Sequence, residues 1–130
     1  MEKDFEKWNI EKQILNEKDT RIFYQEGEIW WCALGVNIGS EQDGTGKYFD
    51  RPIIILRGFS ESAFLGVVLI GREKEGEYYF PLGIIEDRES SVVLSQLRTI
   101  DTRRLRMKIG RLDQDAFDKL KSALQKALFG

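Results

Sequence analysis

Arg51 is the residue whose position points most directly to chemistry. It follows the charged, glycine-containing stretch "GSEQDGTGKYFD" and precedes the apolar run "PIIIL". A guanidinium held where an exposed loop enters a buried strand suits a phosphate, because its planar donors match the phosphate oxygens. Lys47 adds a second cation within the loop. The spacing is not that of a P-loop, and a solvated connection without a ligand is the alternative interpretation.

A second basic feature lies later in the chain, in "SQLRTIDTRRLRMKIGRL". Its cations are Arg98, Arg103, Arg104, Arg106, Lys108 and Arg111, against the single acid Asp101. Because the whole chain has a net charge of −2, binding of a polyanion would depend on such a local cluster. The alternative is that these cations pair with the acidic surface or with the predicted C-terminal helix.

The composition excludes several kinds of chemistry. The chain of 130 residues contains no histidine and one cysteine, Cys32. The commonest general base and zinc ligand is therefore absent, and no intrachain disulfide is possible. We expect no metal and no cofactor, and a reducing cytoplasm is the simplest setting. The N-terminus lacks an apolar signal core and no apolar run is long enough to span a membrane.

The hydrophobic pattern predicts one domain built mainly from short strands. The predicted strands are Glu28–Leu34, Pro52–Phe59, Ala63–Gly71, Tyr78–Ile85 and Ser90–Leu97. Gly76 predicts a charged hairpin turn, and Pro81 predicts an edge strand or a bulge. Residues 113–129 have helical periodicity, with Asp113 as the N-cap. The expected fold is an antiparallel β-barrel closed by a C-terminal amphipathic helix, over 26–130, with an N-terminal helical extension over 1–25.

Aromatic residues offer possible stacking surfaces for unpaired bases. Trp30 and Trp31 are adjacent in a predicted strand, so they face opposite ways and one of them is expected in the core. Tyr48 lies in the glycine-containing loop, where it could stack on a base or anchor the loop. Cys32, inside an apolar strand, is expected to be a small buried hydrophobe.

Two blocks of the sequence resemble the MazF/PemK toxin family. "GEIWWCALGVNIGSEQDGTGKYFDRPIIIL" is similar to the start of that family, which reads roughly G-E/D-I-W, then G-S/H-E-Q, then R-P and an apolar strand. "VVLSQLRTIDTRRL" is similar to its later motif, an apolar strand followed by Q-x-R-T-I-D. The resemblance covers roughly residues 26–128, with both motifs in the family's order.

The resemblance implies an SH3-like barrel, a homodimer and a metal-independent endoribonuclease that cuts single-stranded RNA. It also implies a cognate antitoxin protein that blocks the RNA groove. Arg51 matches the family's catalytic arginine. The expected RNA-binding residues are Lys47, Tyr48, Arg98, Arg103 and Arg104. The expected loop-organising residues are Glu41, Gln42 and Gln96.

The chain departs from the family at the end of the middle strand. Members usually carry Thr or Ser there, whereas this chain has Ile70 and Gly71. Ser95 is the candidate for a replacement catalytic hydroxyl, and an ordinary strand serine is the alternative. Loss of a hydroxyl that hydrogen-bonds a transition state can cost ~10²-fold in rate. The alternative function is therefore a catalytically weak RNA-binding or antitoxin-binding module on the same fold.

Overall fold

A computed structural model describes residues 22–35 and 50–130. Six strands form one antiparallel sheet in the order β4-β5-β3-β2-β1-β6, and a C-terminal helix follows them. The strands are β1 (Glu28–Ala33), β2 (Asp50–Gly58), β3 (Ala63–Ile70), β4 (Tyr79–Ile85), β5 (Arg88–Asp101) and β6 (Leu105–Arg111). A 3₁₀ helix (Thr102–Arg104) joins β5 to β6, and α1 spans Gln114–Phe129. The predicted mainly β class with a terminal amphipathic helix is confirmed.

The sheet carries apolar side chains on both faces, because successive residues of its inner strands alternate. Ile54 lies on the face that α1 covers with Phe117 and Leu120. Ile53 lies on the other face, packed in a cluster with Phe64. Two apolar clusters therefore lie on the two faces of the central strands, and β2 and β3 are packed on both sides.

Helix α1 begins as its sequence predicts. The Asp113 side chain accepts a hydrogen bond from the Ala116 N–H at 2.7 Å, which satisfies one of the unpaired donors at the helix start. Phe117, Leu120 and Leu124 are the buried residues of the helix. The predicted N-cap and the predicted apolar face are confirmed.

The predicted hairpin around Gly76 is wrong. Strands β3 and β4 do not pair with each other, because β5 lies between them and pairs with both. The hairpin of this region joins β4 to β5 through Glu86 and Asp87, whose φ angles are 50° and 61°. Two consecutive left-handed residues are typical of a type I′ turn, which usually carries Asn-Gly. The Glu-Asp pair gave no such signal in the sequence.

Strand β6 was not predicted, because its segment was interpreted only as a basic cluster. It pairs antiparallel with β1 at the edge of the sheet, with Trp31 opposite Met107. At the other edge, β4 and β5 shift register between Pro81 and Gly83, which confirms the edge or bulge predicted from Pro81.

The predicted N-terminal helical extension falls mostly on residues 1–21, which lie outside the described ranges. Residues 22–25 form no helix. Tyr24 instead packs its ring 5.4 Å from that of Phe64 and donates a hydrogen bond to the Ala63 carbonyl at 3.1 Å. In the portion of the chain that the structure describes, no helix has both the length and the apolar character to cross a membrane.

Candidate active site

Arg51 lies at the beginning of β2, as the sequence predicted. Its Cα pairs with that of Cys32 on β1, and the preceding residue, Asp50, pairs with Ala33. On the other side of β2, Ile53 pairs with Val68. The same register, continued by two residues, places Arg51 beside Ile70 at the end of β3. The arginine is half-buried, and its pairing with β1 fixes its backbone on that side.

The 3₁₀ helix before β6 brings another arginine to this end of the sheet. Arg104 donates a hydrogen bond from Nη1 to the Ala33 carbonyl at 3.1 Å, one residue from the partner of Arg51. Burial lowers the pKa of Arg104 from its ordinary value, and the positive charges of Arg98 and Arg103 act in the same direction. Arg98 and Arg103 thus lie near enough to Arg104 to disfavour its charge, while the Asp101 carboxylate acts in the opposite direction.

A carboxylate holds Arg103 in place. Its Nη2 lies 2.7 Å from Asp101 Oδ2 and its Nε lies 3.0 Å from Asp101 Oδ1. Asp101 also caps the 3₁₀ helix by accepting the Arg103 N–H at 2.8 Å. The hydrogen bond from the Arg103 side chain is the main reason that the pKa of Asp101 is lowered. The predicted RNA contact of Arg103 stays a prediction, and it would compete with this pair.

Ser95 is exposed on β5, within a shift of register against β3. Val67 pairs with Leu97, and Leu69 pairs with Val92. Ser95 lies between Val92 and Leu97, in the part of β5 where the pairing with β3 is interrupted. The serine opposite Ile70 is Ser91 instead. Ser91 is completely buried, and its Oγ accepts the Lys74 N–H at 3.0 Å. A catalytic role for Ser95 stays a prediction, and sequence reasoning missed Ser91 because strand register was not readable.

Ile70 and Gly71, the residues at the family's hydroxyl position, differ in their surroundings. The Ile70 side chain is only 3% exposed. The end of an arginine side chain lies close to Gly71: a Cβ there would lie 3.1 Å from Arg88 Nη1 and 3.5 Å from Arg88 Cζ. Arg88 begins β5 directly after the type I′ turn. It was not among the predicted site residues, because it is distant from Gly71 in sequence.

A buried carboxylate supports the neighbouring part of β1. Glu28 is 4% exposed and accepts hydrogen bonds from Trp30 Nε1 at 3.0 Å and from the Gln25 N–H at 2.9 Å. Lys108 Nζ lies 2.8 Å from the other carboxylate oxygen. Burial alone would raise the pKa of Glu28, but the hydrogen bonds and the Lys108 charge lower it overall. Apart from the place of Glu28 in the G-E-I-W motif, no sequence signal predicted this buried group.

The two tryptophans of β1 face opposite sides of the sheet, as predicted. Trp30 is buried in the cluster that contains Ile53, and Trp31 is half-buried opposite Pro52. Cys32 is also completely buried, and burial raises the pKa of its thiol to about 12. Cys32 therefore remains a neutral thiol at physiological pH, which confirms its prediction as a small buried hydrophobe.

Six further predicted site residues have different outcomes in the structure. Glu41, Gln42, Lys47 and Tyr48 lie outside the described residues, so their roles stay predictions. Gln96 is half-buried on β5, next to Leu97. Arg98 is half-buried opposite Gly66 on β3. The structure thus places Arg51 and Arg104 at one end of the sheet. Arg98 is near enough for its charge to lower the pKa of Arg104.

The fold and the site define a class of small antiparallel β protein with arginines gathered at one end of its sheet. Within that class, the chain belongs to the family of PemK-like, MazF-like toxins of type II toxin–antitoxin systems, whose family model matches residues 25–128. The family predicted from the sequence motifs is confirmed.

Individual relatives agree with this assignment. The endoribonuclease EndoA of Bacillus subtilis (strain 168) is 30% identical over 119 residues, covering 82% of this chain and 96% of EndoA. The crystal structure of MazF from Deinococcus radiodurans superposes with a TM-score of 0.63 at 17% identity, covering 82% of this chain and 97% of that one. A mycobacterial endoribonuclease in complex with its cognate antitoxin gives a TM-score of 0.62 at 17% identity, covering 82% and 95%. The structural similarity at this identity supports the fold.

Proposed function

We propose that this protein is the toxin of a type II toxin–antitoxin system and acts as a metal-independent endoribonuclease on single-stranded RNA. The observation that carries the proposal is the position of Arg51, at the start of β2, between Cys32 on β1 and the end of β3. The family membership and the likeness to EndoA support the same reaction.

The proposed reaction uses the ribose 2′-OH as the nucleophile. Its oxygen attacks the adjacent phosphorus, the P–O5′ bond breaks, and the products are a 2′,3′-cyclic phosphate and a 5′-OH end. The proton of the 2′-OH leaves to a base and one is delivered to the departing O5′, so the step is redox-neutral. In the transition state, negative charge grows on the phosphoryl oxygens, which is where a fixed guanidinium contributes most.

Arg51 stabilises that charge in this mechanism. Its planar donors fit two phosphoryl oxygens, and its fixed backbone reduces the reorganisation needed during the reaction. Its high pKa makes it a poor base, so charge stabilisation is its principal role. Arg98 and Arg104 hold the flanking phosphates, with Lys47 and Tyr48 contributing from the loop. Arg103 joins them only when it leaves Asp101.

The proposed partners follow from the family. The protein acts as a homodimer in the cytoplasm and is neutralised by a cognate antitoxin protein. The mycobacterial relative was solved in complex with its antitoxin, and so was MazF of Deinococcus radiodurans with MazE. An acidic antitoxin segment would compete with RNA for the arginines at the sheet end, because both present negative charges.

The test is cleavage of a single-stranded RNA by the purified protein in excess EDTA. We expect fragments with 5′-OH ends, which a polynucleotide kinase labels without prior phosphatase treatment. Arg51→Ala should lower the cleavage rate by about 10²-fold to 10³-fold, the usual effect of removing one donor to a developing oxyanion. The matched control is Arg57→Ala, an exposed arginine at the opposite end of the same strand, which should leave the rate unchanged. Equal rates for wild type and Arg51→Ala would refute the proposal.

A second function, RNA or antitoxin binding with little turnover, is favoured by one observation. Ile70 is an almost fully buried aliphatic residue at the position where the family has a hydroxyl. In that case expression of the wild type would not arrest bacterial growth, and the purified protein would bind RNA without cutting it. Growth arrest that depends on Arg51 would eliminate this second function.

A further inference from the structure

We propose that the ion pair between Asp50 and Arg106 positions Arg51 for catalysis and withholds Arg106 from the RNA. This inference rests on the proposed function and adds two positioning residues to its site. Arg106 Nε lies 3.6 Å from Asp50 Oδ1, and the two side chains are mostly buried, with exposed fractions of 21% and 18%. Asp50 is the first residue of β2 and directly precedes Arg51.

The beginning of β2 has fewer backbone restraints than its middle. The register between β2 and β3 starts at Ile53. In the described part of the sheet, Asp50, Arg51 and Pro52 are registered against β1 alone. Pro52 also has no N–H to donate to a neighbouring strand. An additional contact at Asp50 therefore determines how precisely Arg51 is held.

A β-bulge in β6 directs Arg106 across the sheet. The pairing of β1 with β6 shifts register between Trp31 and Cys32. These two residues lie opposite Met107 and Leu105, so Arg106 is the extra residue of the bulge. Bulges re-aim side chains and are common next to functional sites. In this case, the Arg106 side chain extends over β1 to the carboxylate at the start of β2.

The residue that lies between the two charges is small. β1 separates β2 from β6 in the sheet, so the backbones of β2 and β6 are about 10 Å apart. The β1 residue opposite Asp50 is Ala33, which is completely buried. Its methyl group leaves room for the Arg106 side chain to cross the strand, and a longer side chain would obstruct that path.

Asp50 acts on Arg51 through the backbone, because successive residues of a strand point to opposite faces. Arg51 lies on the same face as its ladder partner, Cys32. Asp50 lies on the other face with its own partner, Ala33. Burial is the main cause of the raised pKa of Cys32, and the charges of Asp50 and Arg106 act on that pKa in opposite directions. The ion pair is therefore close to the ladder position of Arg51, although it does not touch the reacting phosphate.

The pair also determines which arginines interact with RNA. Asp50 balances the charge of Arg106, so a phosphate that approached Arg106 would also approach a carboxylate. Neutralising a phosphate is what makes RNA affinity depend on salt. We therefore expect Arg106, unlike Arg98 and Arg104, to contribute little to the salt dependence of RNA binding.

Single-turnover cleavage of a single-stranded RNA tests the positioning role. Asp50→Asn and Arg106→Gln should each lower the cleavage rate by about tenfold to a hundredfold, because a catalytic group displaced by ~1 Å has an effect of that order. The double variant should lose little more than the more impaired single variant, since both changes break one contact. The control is the exposed ion pair of Asp115 and Lys119 in α1. Asp115→Asn and Lys119→Gln make the same charge changes there and should cleave at the wild-type rate.

Binding provides a readout that does not depend on turnover. The probe is a single-stranded RNA with one mapped cleavage site, bearing a 2′-deoxyribose at that site to prevent attack. Arg106→Gln should leave the slope of log affinity against log salt unchanged. Arg98→Gln should reduce it by about 0.7, the value for one lost phosphate contact on a single strand. The same reduction in Arg106→Gln would show that Arg106 binds a phosphate, which would overturn the inference.

The outcomes separate this inference from the proposed function. If the wild type cleaves, Arg51→Ala is inactive and both Asp50→Asn and Arg106→Gln cleave at the wild-type rate, then the inference fails and the function stands. If the wild type does not cleave, the proposed function fails, and the salt slope of Arg106→Gln decides whether Arg106 is withheld from RNA.

Melting temperatures distinguish positioning from a purely structural role. All rates are measured well below the melting temperature of each variant, where a purely structural contact would leave the rate unchanged. Arg106→Lys keeps the charge and should recover part of the rate lost in Arg106→Gln. If Arg106→Gln does not fold, Arg106→Lys takes its place in both assays. A wild-type rate or a reduced salt slope in Arg106→Lys would then refute the inference.

Discussion

Glu28 provides a quantitative test of how the sheet beneath the site is held. Replacing it with alanine removes the acceptor for Trp30 Nε1 and for the Gln25 N–H. Hydrogen bonds to a charged group contribute about 1.5–3 kcal/mol each. The Lys108 side chain is about half exposed, at 48%, so its ion pair adds only ~0–1 kcal/mol. We expect Glu28→Ala to lower the free energy of unfolding by about 3–5 kcal/mol.

Urea denaturation followed by circular dichroism measures this loss. Glu89→Ala removes an exposed carboxylate from a strand end, and this control should change the stability by less than about 0.5 kcal/mol. Lys108→Met should cost ~1 kcal/mol or less, because Glu28 keeps its other two donors. A loss below about 1 kcal/mol for Glu28→Ala would refute the view that this carboxylate organises the start of β1.

The same residue predicts a pH dependence. Because the pKa of Glu28 is lower in the folded protein than its ordinary value, its charge stabilises the fold above the unfolded pKa of about 4.3. That contribution is lost as the pH falls through the lower, folded pKa. The stability difference between wild type and Glu28→Gln should thus be full at pH 7 and shrink in strongly acidic solution. A difference that is the same at pH 7 and pH 3 would contradict the assignment.

Two further outcomes follow from individual contacts. Asp113→Ala should lower the free energy of unfolding by about 1 kcal/mol in urea titration, since it removes the cap bond to the Ala116 N–H. Asp113→Asn should recover most of that loss. Cys32 should resist alkylation by iodoacetamide in the native protein at pH 8, because its thiol is buried and its pKa is raised to about 12. Unfolding in urea should make it react, and rapid labelling of the native protein would show that this part of the sheet opens.

The strands that the sequence predicted correctly are those with a strong apolar pattern. β2 and β3 lie at the centre of the sheet with apolar contacts on both faces, and their Ile and Val runs are typical of that environment. β6 was missed because it is an edge strand: Met107 and Lys108 on it are exposed, so no continuous apolar run remains. The turn at Glu86 and Asp87 was missed for a different reason. The pairing of β4 with β5 holds both residues at positive φ angles, which Glu and Asp seldom adopt.

The candidate site was only partly predictable. Arg51 could be identified because its phosphate-binding chemistry and its place before Pro52 are local features of the sequence. Ser91 and Arg88 could not, because their proximity to the end of β3 depends on the register of β5 and on its shift near Ser95. Strand register is determined by packing across the sheet, and no short window of sequence contains that information.

The pairing of Ala33 with Asp50 affects how much the connection between β1 and β2 can vary in length and sequence. Those two residues are the last ladder pair of β1 and β2, and they fix both ends of the connection formed by residues 34–49. The entropic cost of closing a connection rises only by about 0.6 kcal/mol for each doubling of its length. Insertions, deletions or whole replacement segments should therefore be tolerated there while the adjacent Arg51 keeps its place. Transplanting that connection between homologues would test whether it carries target preference, because the strand pairing on either side of it stays in place.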